Sequence, residues 1–523
     1  MQTARSLGAS AAAVALASIA ALSVAHPGAH HQPIAEAANG PEAVQPGMER
    51  LYYDFVRPDG TLDGGFLDIP LAEKRLDLPT PGVVGPAHKL DADGFEPVLD
   101  ARTNGRTVAA NRIEIVFVGD GYTAAELGLY ADQVTAFSDD MFQYEPLNSY
   151  RPLFEIYRVD VVSNESGVDN DPTQGINRDT ALDMTYWCNN IERLLCVSVS
   201  KAYSYANTAP GVDQVIAIAN SSKYGGAGYP GSDLGTAAAG NGAAAQIIIH
   251  EFGHSLGNLA DEYTYGGPSA WPGGEPFDVN LSTFTAGQLL DMQKKWWRWV
   301  GETLAGFDSP VNAYQGGGYS VTGVYRPTNN SMMRNLGRPF NLPGAEAIIR
   351  QIYITVSVVD GHTPTSPNPE SNATLSVDTV DPLIDTIEVR WAVNGAPVGG
   401  DTDTLDLAGV GAQPGDIVTA TVTDETPWVR DEAIRDTFMT EVISWTLTAP
   451  DCPADITTES SSNGVPDGLV TLSDFSYYLS LWSTGAAQAD ITATGACVYG
   501  TGGDGVDLSD FSCYLATWSA GCP

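Results

Sequence analysis

The stretch IIIHEFGHSLGNLADEY, Ile247 to Tyr263, places two of the chain's seven histidines four residues apart, His250 and His254, with Glu251 beside the first. On a helix, side chains four apart lie one above the other, so both imidazoles aim at one ion. Glu251 then stands where it takes a proton from water whose acidity the metal raises. A chance HExxH on a buried helix is the bland alternative. Phe252, Leu256 and Leu259 supply the apolar face that seats the helix in a core.

Two histidines do not complete a catalytic zinc, which takes three protein ligands and keeps one open position. His26, His30 and His31 fall in a leader, and His88 and His362 lie outside the core α/β region, so a carboxylate is expected. A straight helix carries Asp261 roughly 10 Å beyond His254. Gly257 offers a way back, by ending the helix in a left-handed turn that returns the chain beneath the metal. The expected zinc set is therefore His250, His254 and Asp261. Glu262 is the alternate after the same turn, and Glu346 of PGAEAIIRQI is the alternate for a helix that runs straight. The spacing is similar to the metzincin pattern HExxHxxGxxH over its first eight positions, with Ala260 where the third histidine would stand. Metzincins place a methionine turn under the metal, and NNSMMRN offers Met332 and Met333, which serve equally well as core residues. Tyr263 and Tyr325 are candidates for an oxyanion hydrogen bond, although packing is the commoner role of a tyrosine. The glycine-rich KYGGAGYPGSDLG ahead of the helix reads either as an edge strand that pairs with extended substrate or as a surface loop.

A second chemistry lies in the tail. ADITTESSSNGVPDGLVTLSDFSYYLSLW is repeated as ADITATGACVYGTGGDGVDLSDFSCYLATW. Each copy is an oxygen-rich loop that leads into an amphipathic helix, the logic of a calcium loop. Asn463, Asp467 and Asp474 are the candidate ligands in the first copy, and Asp504, Asp507 and Asp510 in the second. The pattern is degenerate, with Val465 at the third loop position and a second copy one residue shorter.

Six cysteines fit an oxidising compartment. Cys188 and Cys196 are expected to pair. Cys452, Cys497, Cys513 and Cys522 allow three pairings, among which sequence does not choose.

The elements that must position these residues follow from patterning. Residues 1–25, with Arg5 ahead of a small-apolar run, read as a secretory signal peptide. Residues 26–48 read as a flexible leader and 49–106 as a small β-rich unit. The buried strand IEIVFVGDGY, a helical pattern after it, and the strands LFEIYRVDVVS and VDQVIAIAN make 107–360 an α/β unit. HTPTSPNPESN reads as a linker, followed over 370–450 by alternating strands at β-sandwich spacing and over 451–523 by the repeat module. The chain is thus expected to be multidomain, with an α/β zincin-type catalytic domain. Sixty-four acidic against 25 basic residues, a net charge of −39, argue against nucleic acid and anionic membrane surfaces as partners. After the leading segment no stretch reads as membrane-spanning.

With these residues in hand, the chain resembles the bacterial IgA peptidase family of metallo-endopeptidases. NRIEIVFVGDGYTAAEL, ESGVDNDP, YGGAGY, HEFGHSLGNLADEY and NNSMMRN carry the resemblance, which runs from about Leu51 to Pro450. It implies a secreted zinc endopeptidase acting on protein or peptide substrates, with a β-sandwich after the catalytic domain. The tail resembles the dockerin-like Gly-Cys modules of secreted planctomycete proteins through its two LSDFS segments and final AGCP. That likeness implies attachment to a cell-surface or assembly partner. The alternatives are a non-catalytic adhesion or scaffold protein retaining a zincin core, and a carbohydrate-active enzyme, for which no acid pair at a readable spacing is identifiable.

Overall fold

The computed structural model describes residues 44–56, 62–72, 84–91, 94–98, 111–265, 269–448, 454–457, 469–492 and 505–521. Residues 1–25, read above as a signal peptide, and most of those read as a leader lie outside these residues, as do Asn463, Asp467, Asp504, Cys452, Cys497 and Cys522.

A nine-stranded sheet organises the first part of the chain. Its strands are β1 (Met48–Val56), β2 (Leu62–Pro70), β3 (Val84–Asp91), β4 (Gly94–Pro97), β5 (Ile113–Asp120), β6 (Phe154–Val161), β7 (Gln214–Ala219), β8 (Gly226–Tyr229) and β9 (Leu234–Ala238). Their order is β2, β1, β8, β9, β7, β5, β6, β3, β4. The four central strands β9, β7, β5 and β6 are parallel. Every residue of β5 and β7 is buried, as expected of parallel strands covered on both faces. Alternation along β5 divides the core. Ile113, Ile115 and Phe117 join helices α1 (Leu127–Met141) and α3 (Ala244–Ser255) on one face, while Val116 and Val118 join α2 (Val199–Ala206) on the other.

The small β unit expected over 49–106 is not separate. Its strands extend this sheet on both sides, β1 and β2 beyond β8, and β3 and β4 beyond β6. The determining pairings join residues far apart in sequence, Tyr52 with Gly228 and His88 with Arg158, and local patterning carries no signal for them. The helix α4 (Ala286–Met292), the hairpin of β10 (Tyr314–Gly317) and β11 (Ser320–Arg326), and α5 (Leu342–Thr355) complete this part. Ile348, Ile349 and Ile352 of α5 share the core with Ile248, Ile249 and Phe252 of α3.

Two further antiparallel sheets follow. One orders β12 (Val359–His362), β13 (Thr374–Thr379) and β16 (Thr404–Asp406), and the other β15 (Ala396–Val398), β14 (Ile387–Val393), β17 (Ile417–Asp424) and β18 (Thr440–Thr446), with α6 (Glu432–Phe438) before the last. Trp391 and Trp445 are buried and stack at 5.7 Å. The stretch read as a linker is held in place: Ser371 N donates to Thr448 O at 2.9 Å, and Trp445 Nε1 to Thr363 O at 2.8 Å.

Asp424 fastens the four-stranded sheet to the α/β part. Its Oδ2 accepts from Tyr150 Oη at 2.6 Å and Tyr353 Oη at 2.8 Å, and its Oδ1 from Thr386 Oγ1 at 2.6 Å, all at a fully buried carboxylate. Asp424→Ala strands three hydroxyls, each costing about 1–3 kcal/mol when left unsatisfied. The expected loss of unfolding free energy is on the order of 3–5 kcal/mol, read by denaturant titration.

In the tail, α7 (Leu472–Thr484) and α8 (Leu508–Ala520) exchange equivalent contacts. Tyr478 and Tyr514 stack at 3.8 Å; Tyr478 Oη donates to Ala489 O, and Tyr514 Oη to Ala454 O. Trp482 Nε1 donates to Asp507 O and Trp518 Nε1 to Thr471 O, so each repeat's aromatic residues bond the other's backbone. Among the described residues no helix is long and apolar enough to cross a membrane.

Candidate metal centre

Helix α3 presents His250, Glu251 and His254 from a fully buried position. A backbone carbonyl orients each imidazole, His250 Nδ1 lying 2.9 Å from Met332 O and His254 Nδ1 2.6 Å from Leu259 O. A carbonyl can only accept, so Nδ1 carries a proton and Nε2 of each ring is turned towards Asp261.

The helix ends at Ser255, and the chain turns back. The left-handed residue of this turn is Asn258, at φ 49°, rather than Gly257. Glycine is needed at 257 for a different reason: a Cβ there would lie 2.7 Å from Gly253 O and 3.0 Å from Ile348 Cγ1. The returning chain brings Asp261 Oδ1 to 3.1 Å from His250 Nε2 and 3.3 Å from His254 Nε2. The other Asp261 oxygen accepts from Tyr319 Oη.

A fourth group comes from β1. Asp54 Oδ2 lies 2.9 Å from His250 Nε2, and one ligand atom from each of Asp54, His250, His254 and Asp261 lies within 4.8 Å of all the others. Around a tetrahedral zinc with bonds of about 2.0–2.2 Å, ligand atoms stand roughly 3.3–3.6 Å apart, so these donors fit such an ion. Orphaned atoms point the same way. Asp54 Oδ2, His254 Nε2 and both Glu251 carboxylate oxygens are buried without a partner in hydrogen-bonding geometry among the described residues, a costly arrangement that a cation relieves.

Electrostatics follow the crowding. Burial and the charge of Asp54 lift the Glu251 pKa well above the carboxylate range, against the pull of His250. Burial opposes charge on His250, but Asp54 and Asp261 outweigh it and raise its pKa. Burial likewise opposes charge on Asp261, yet His254 and His250 hold its pKa below the usual value.

The remaining candidates are disposed as follows. Met332 contributes its carbonyl to His250, and Met333 O accepts from Glu262 N at 2.7 Å while its sulfur packs against Gly253. Tyr263 Oη donates to Asp54 Oδ1. Tyr325 makes backbone bonds with Ser282 in the β10–β11 region. The two alternate ligands have other partners. Glu262 accepts from Ser331 Oγ at 2.6 Å, Asn341 Nδ2 at 2.9 Å and Asn280 Nδ2 at 3.0 Å, clamping the methionine segment to the start of α5. Glu346 accepts from Trp299 Nε1 and from the backbone of Arg430 and Asp431, tying α5 to the segment between β17 and α6. Glu346→Ala is accordingly expected to leave metal content unchanged and to cost about 1–3 kcal/mol of stability, read by elemental analysis beside thermal denaturation.

Sequence reasoning missed Asp54, Tyr52 and Tyr319. The Tyr52 ring stacks on His254 at 4.2 Å and 6°. Conversely, the VGDGY segment, singled out for its resemblance, is architectural. Asp120 accepts from Leu182 N, Met184 N, Thr180 Oγ1 and Ser163 Oγ, holding the long loop that follows β6.

Residues 104–310 match the IgA Peptidase M64 family. The matched segment includes β5 through α3 together with His250, Glu251, His254 and Asp261, and it supports a peptidase with a metal-binding group. β1 and β2, and with them Asp54, lie outside the M64 match, as do the two later antiparallel sheets and the tail. No curated protein matches the chain.

Cys188 and Cys196 form a disulfide with Cα atoms 6.0 Å apart. Cys513 is disulfide-bonded to a partner outside the described residues. Among the calcium candidates, Asp474 accepts from the backbone of Ile456, Thr457 and Thr471, and Asp510 from that of Ile491, Thr492 and Asp507. Asp507 caps α8 through Ser509 N.

Proposed function

We propose that the chain is a secreted zinc metallo-endopeptidase of metzincin-like build, attached through its calcium-binding, dockerin-like tail to a cell-surface or assembly partner. One observation carries the reading: two histidine Nε2 atoms and Asp261 Oδ1 converge beside a buried Glu251 carboxylate that no donor satisfies among the described residues.

His250, His254 and Asp261 would hold the zinc. When bound, zinc supplies a Lewis acid for the scissile carbonyl and lowers the pKa of water towards neutrality. Glu251 takes the proton of the attacking water on its carboxylate and returns it to the leaving amine. The carbonyls on both Nδ1 atoms keep the imidazoles aimed, and the Tyr319 hydroxyl fixes the Asp261 carboxylate. The glycine-rich stretch before α3 does contain a strand, β8, but not the edge strand expected, because β1 pairs with its outer side; an extended substrate would pair with β8 only with β1 displaced. Tyr263 reaches an oxyanion only after leaving Asp54.

The second reading, a non-catalytic adhesion or scaffold protein with a metal-stabilised core, draws on Asp54, because closed four-donor sets are the structural kind. Glu251 favours the enzyme, since a buried carboxylate with no donor among the described residues costs stability without tying the fold together.

The test is hydrolysis of casein by protein purified without added metal. The enzyme reading expects about one zinc per chain, loss of activity with a chelator and recovery with zinc. Activity indifferent to chelator contradicts it.

A further inference from the structure

The fourth donor and the sheet edge raise one question together. A catalytic zinc keeps an open position, whereas four protein ligands close the site. Here the closing carboxylate sits on a strand that also occupies the edge proposed for substrate: β1 runs antiparallel to β8, with Tyr52 opposite Gly228.

The fit between β1 and α3 is periodic. Residues two apart on a strand point to the same face about 6.6–6.8 Å apart, close to the roughly 6 Å that separates residues four apart on a helix. Tyr52 stacks on His254 and, two residues on, Asp54 reaches His250. The hairpin is shaped for this contact. Gly64 of β2 lies opposite Asp54, and a Cβ there would stand 2.6 Å from both Asp54 Oδ1 and Tyr263 Oη. Leu62, at the start of β2, packs with Tyr263 and Tyr319, the two tyrosines whose hydroxyls hold Asp54 and Asp261.

We propose that the β1–β2 hairpin is a built-in inhibitory segment: Asp54 fills the metal's open position and β1 takes the substrate's place along β8. Departure of the hairpin exposes the β8 edge, frees the Tyr263 hydroxyl and leaves His250, His254 and Asp261 as a three-ligand set with Glu251 beside it. Chain cleavage between β2 and β3 is the event that would release it, because β3 and β4 are anchored separately on β6.

The proposal rests on the metallopeptidase reading and is tested on the full chain, loaded with zinc or, in parallel, with cobalt(II). The readouts are metal content, the visible absorption of the cobalt form and hydrolysis of fluorogenic casein. Asp54→Asn preserves side-chain size. It is expected to keep its metal, to shift the cobalt spectrum as a protein ligand gives way to solvent, and to hydrolyse casein roughly tenfold faster or more, as removal of a competing closed state requires. A second form does not depend on that substitution: a specific protease site placed between β2 and β3 and cut in the folded protein, with the same spectral shift and gain expected. An unchanged spectrum and rate in both forms overturns the proposal. Loss of metal and activity in Asp54→Asn, without gain on cutting, also overturns it, because Asp54 would then be a resident ligand. A parent chain that takes up no metal overturns the metallopeptidase reading instead.

Discussion

Glu251→Gln is expected to retain zinc and to hydrolyse casein roughly two or more orders of magnitude more slowly than the parent, the usual scale for removing a general base. The substitution keeps length and shape, so the apolar seat of α3 is untouched. It also replaces a buried carboxyl that lies beside Asp54 and meets no donor among the described residues. Thermal stability is therefore expected to equal or exceed that of the parent, and this separates loss of chemistry from loss of fold. Full activity in a zinc-loaded Glu251→Gln protein would mean that another group handles the proton.

Asp261→Ala has the second large effect. Partners of metal ligands typically cost 10–100-fold in affinity when removed, so loss of the ligand itself is expected to cost more than about 100-fold. Activity should fall with it. Asp54 still lies 2.9 Å from His250 Nε2, and in the single mutant it can keep some metal in place. The double substitution Asp54→Asn, Asp261→Ala leaves two histidines and is expected to bind no zinc that survives dialysis. Competition titration with a zinc-sensitive dye measures both. Parent-like affinity in the double mutant would remove Asp261 from the site.

The difference between what was legible and what was not lies in sequence distance. His250, Glu251, His254 and Asp261 fall within twelve residues, and helix periodicity with one turn is enough to bring them together. Even there the detail of the turn escaped, because Gly257 and Asn258 are both plausible left-handed residues and only the packing against Gly253 O and Ile348 shows which restriction each answers. The central strands were legible because IVFVG within β5 and VIAIA within β7 are continuous apolar runs. Asp54 was not: an aspartate between a tyrosine and a phenylalanine in MERLYYDFV carries no local sign of a ligand, and nothing local reveals that β1 joins β8 and faces α3. The linker reading failed in the same way, since Pro, Ser and Asn mark irregular backbone but carry no information about the bonds through Thr363, Ser371 and Thr448 that hold it. Glu346 illustrates the converse. Its helix was legible, but its partners, Trp299 and the backbone at Arg430 and Asp431, belong to segments distant in sequence.

The central claim is the position and identity of the metal. Diffraction from crystals of the full chain, recorded on either side of the zinc absorption edge, tests it most directly. The account predicts an anomalous peak that appears only above the edge, bounded by His250 Nε2, His254 Nε2 and an Asp261 oxygen, with Asp54 as the fourth neighbour while the hairpin is in place. A peak coordinated by other residues, or no peak at these four side chains in active protein, would contradict it.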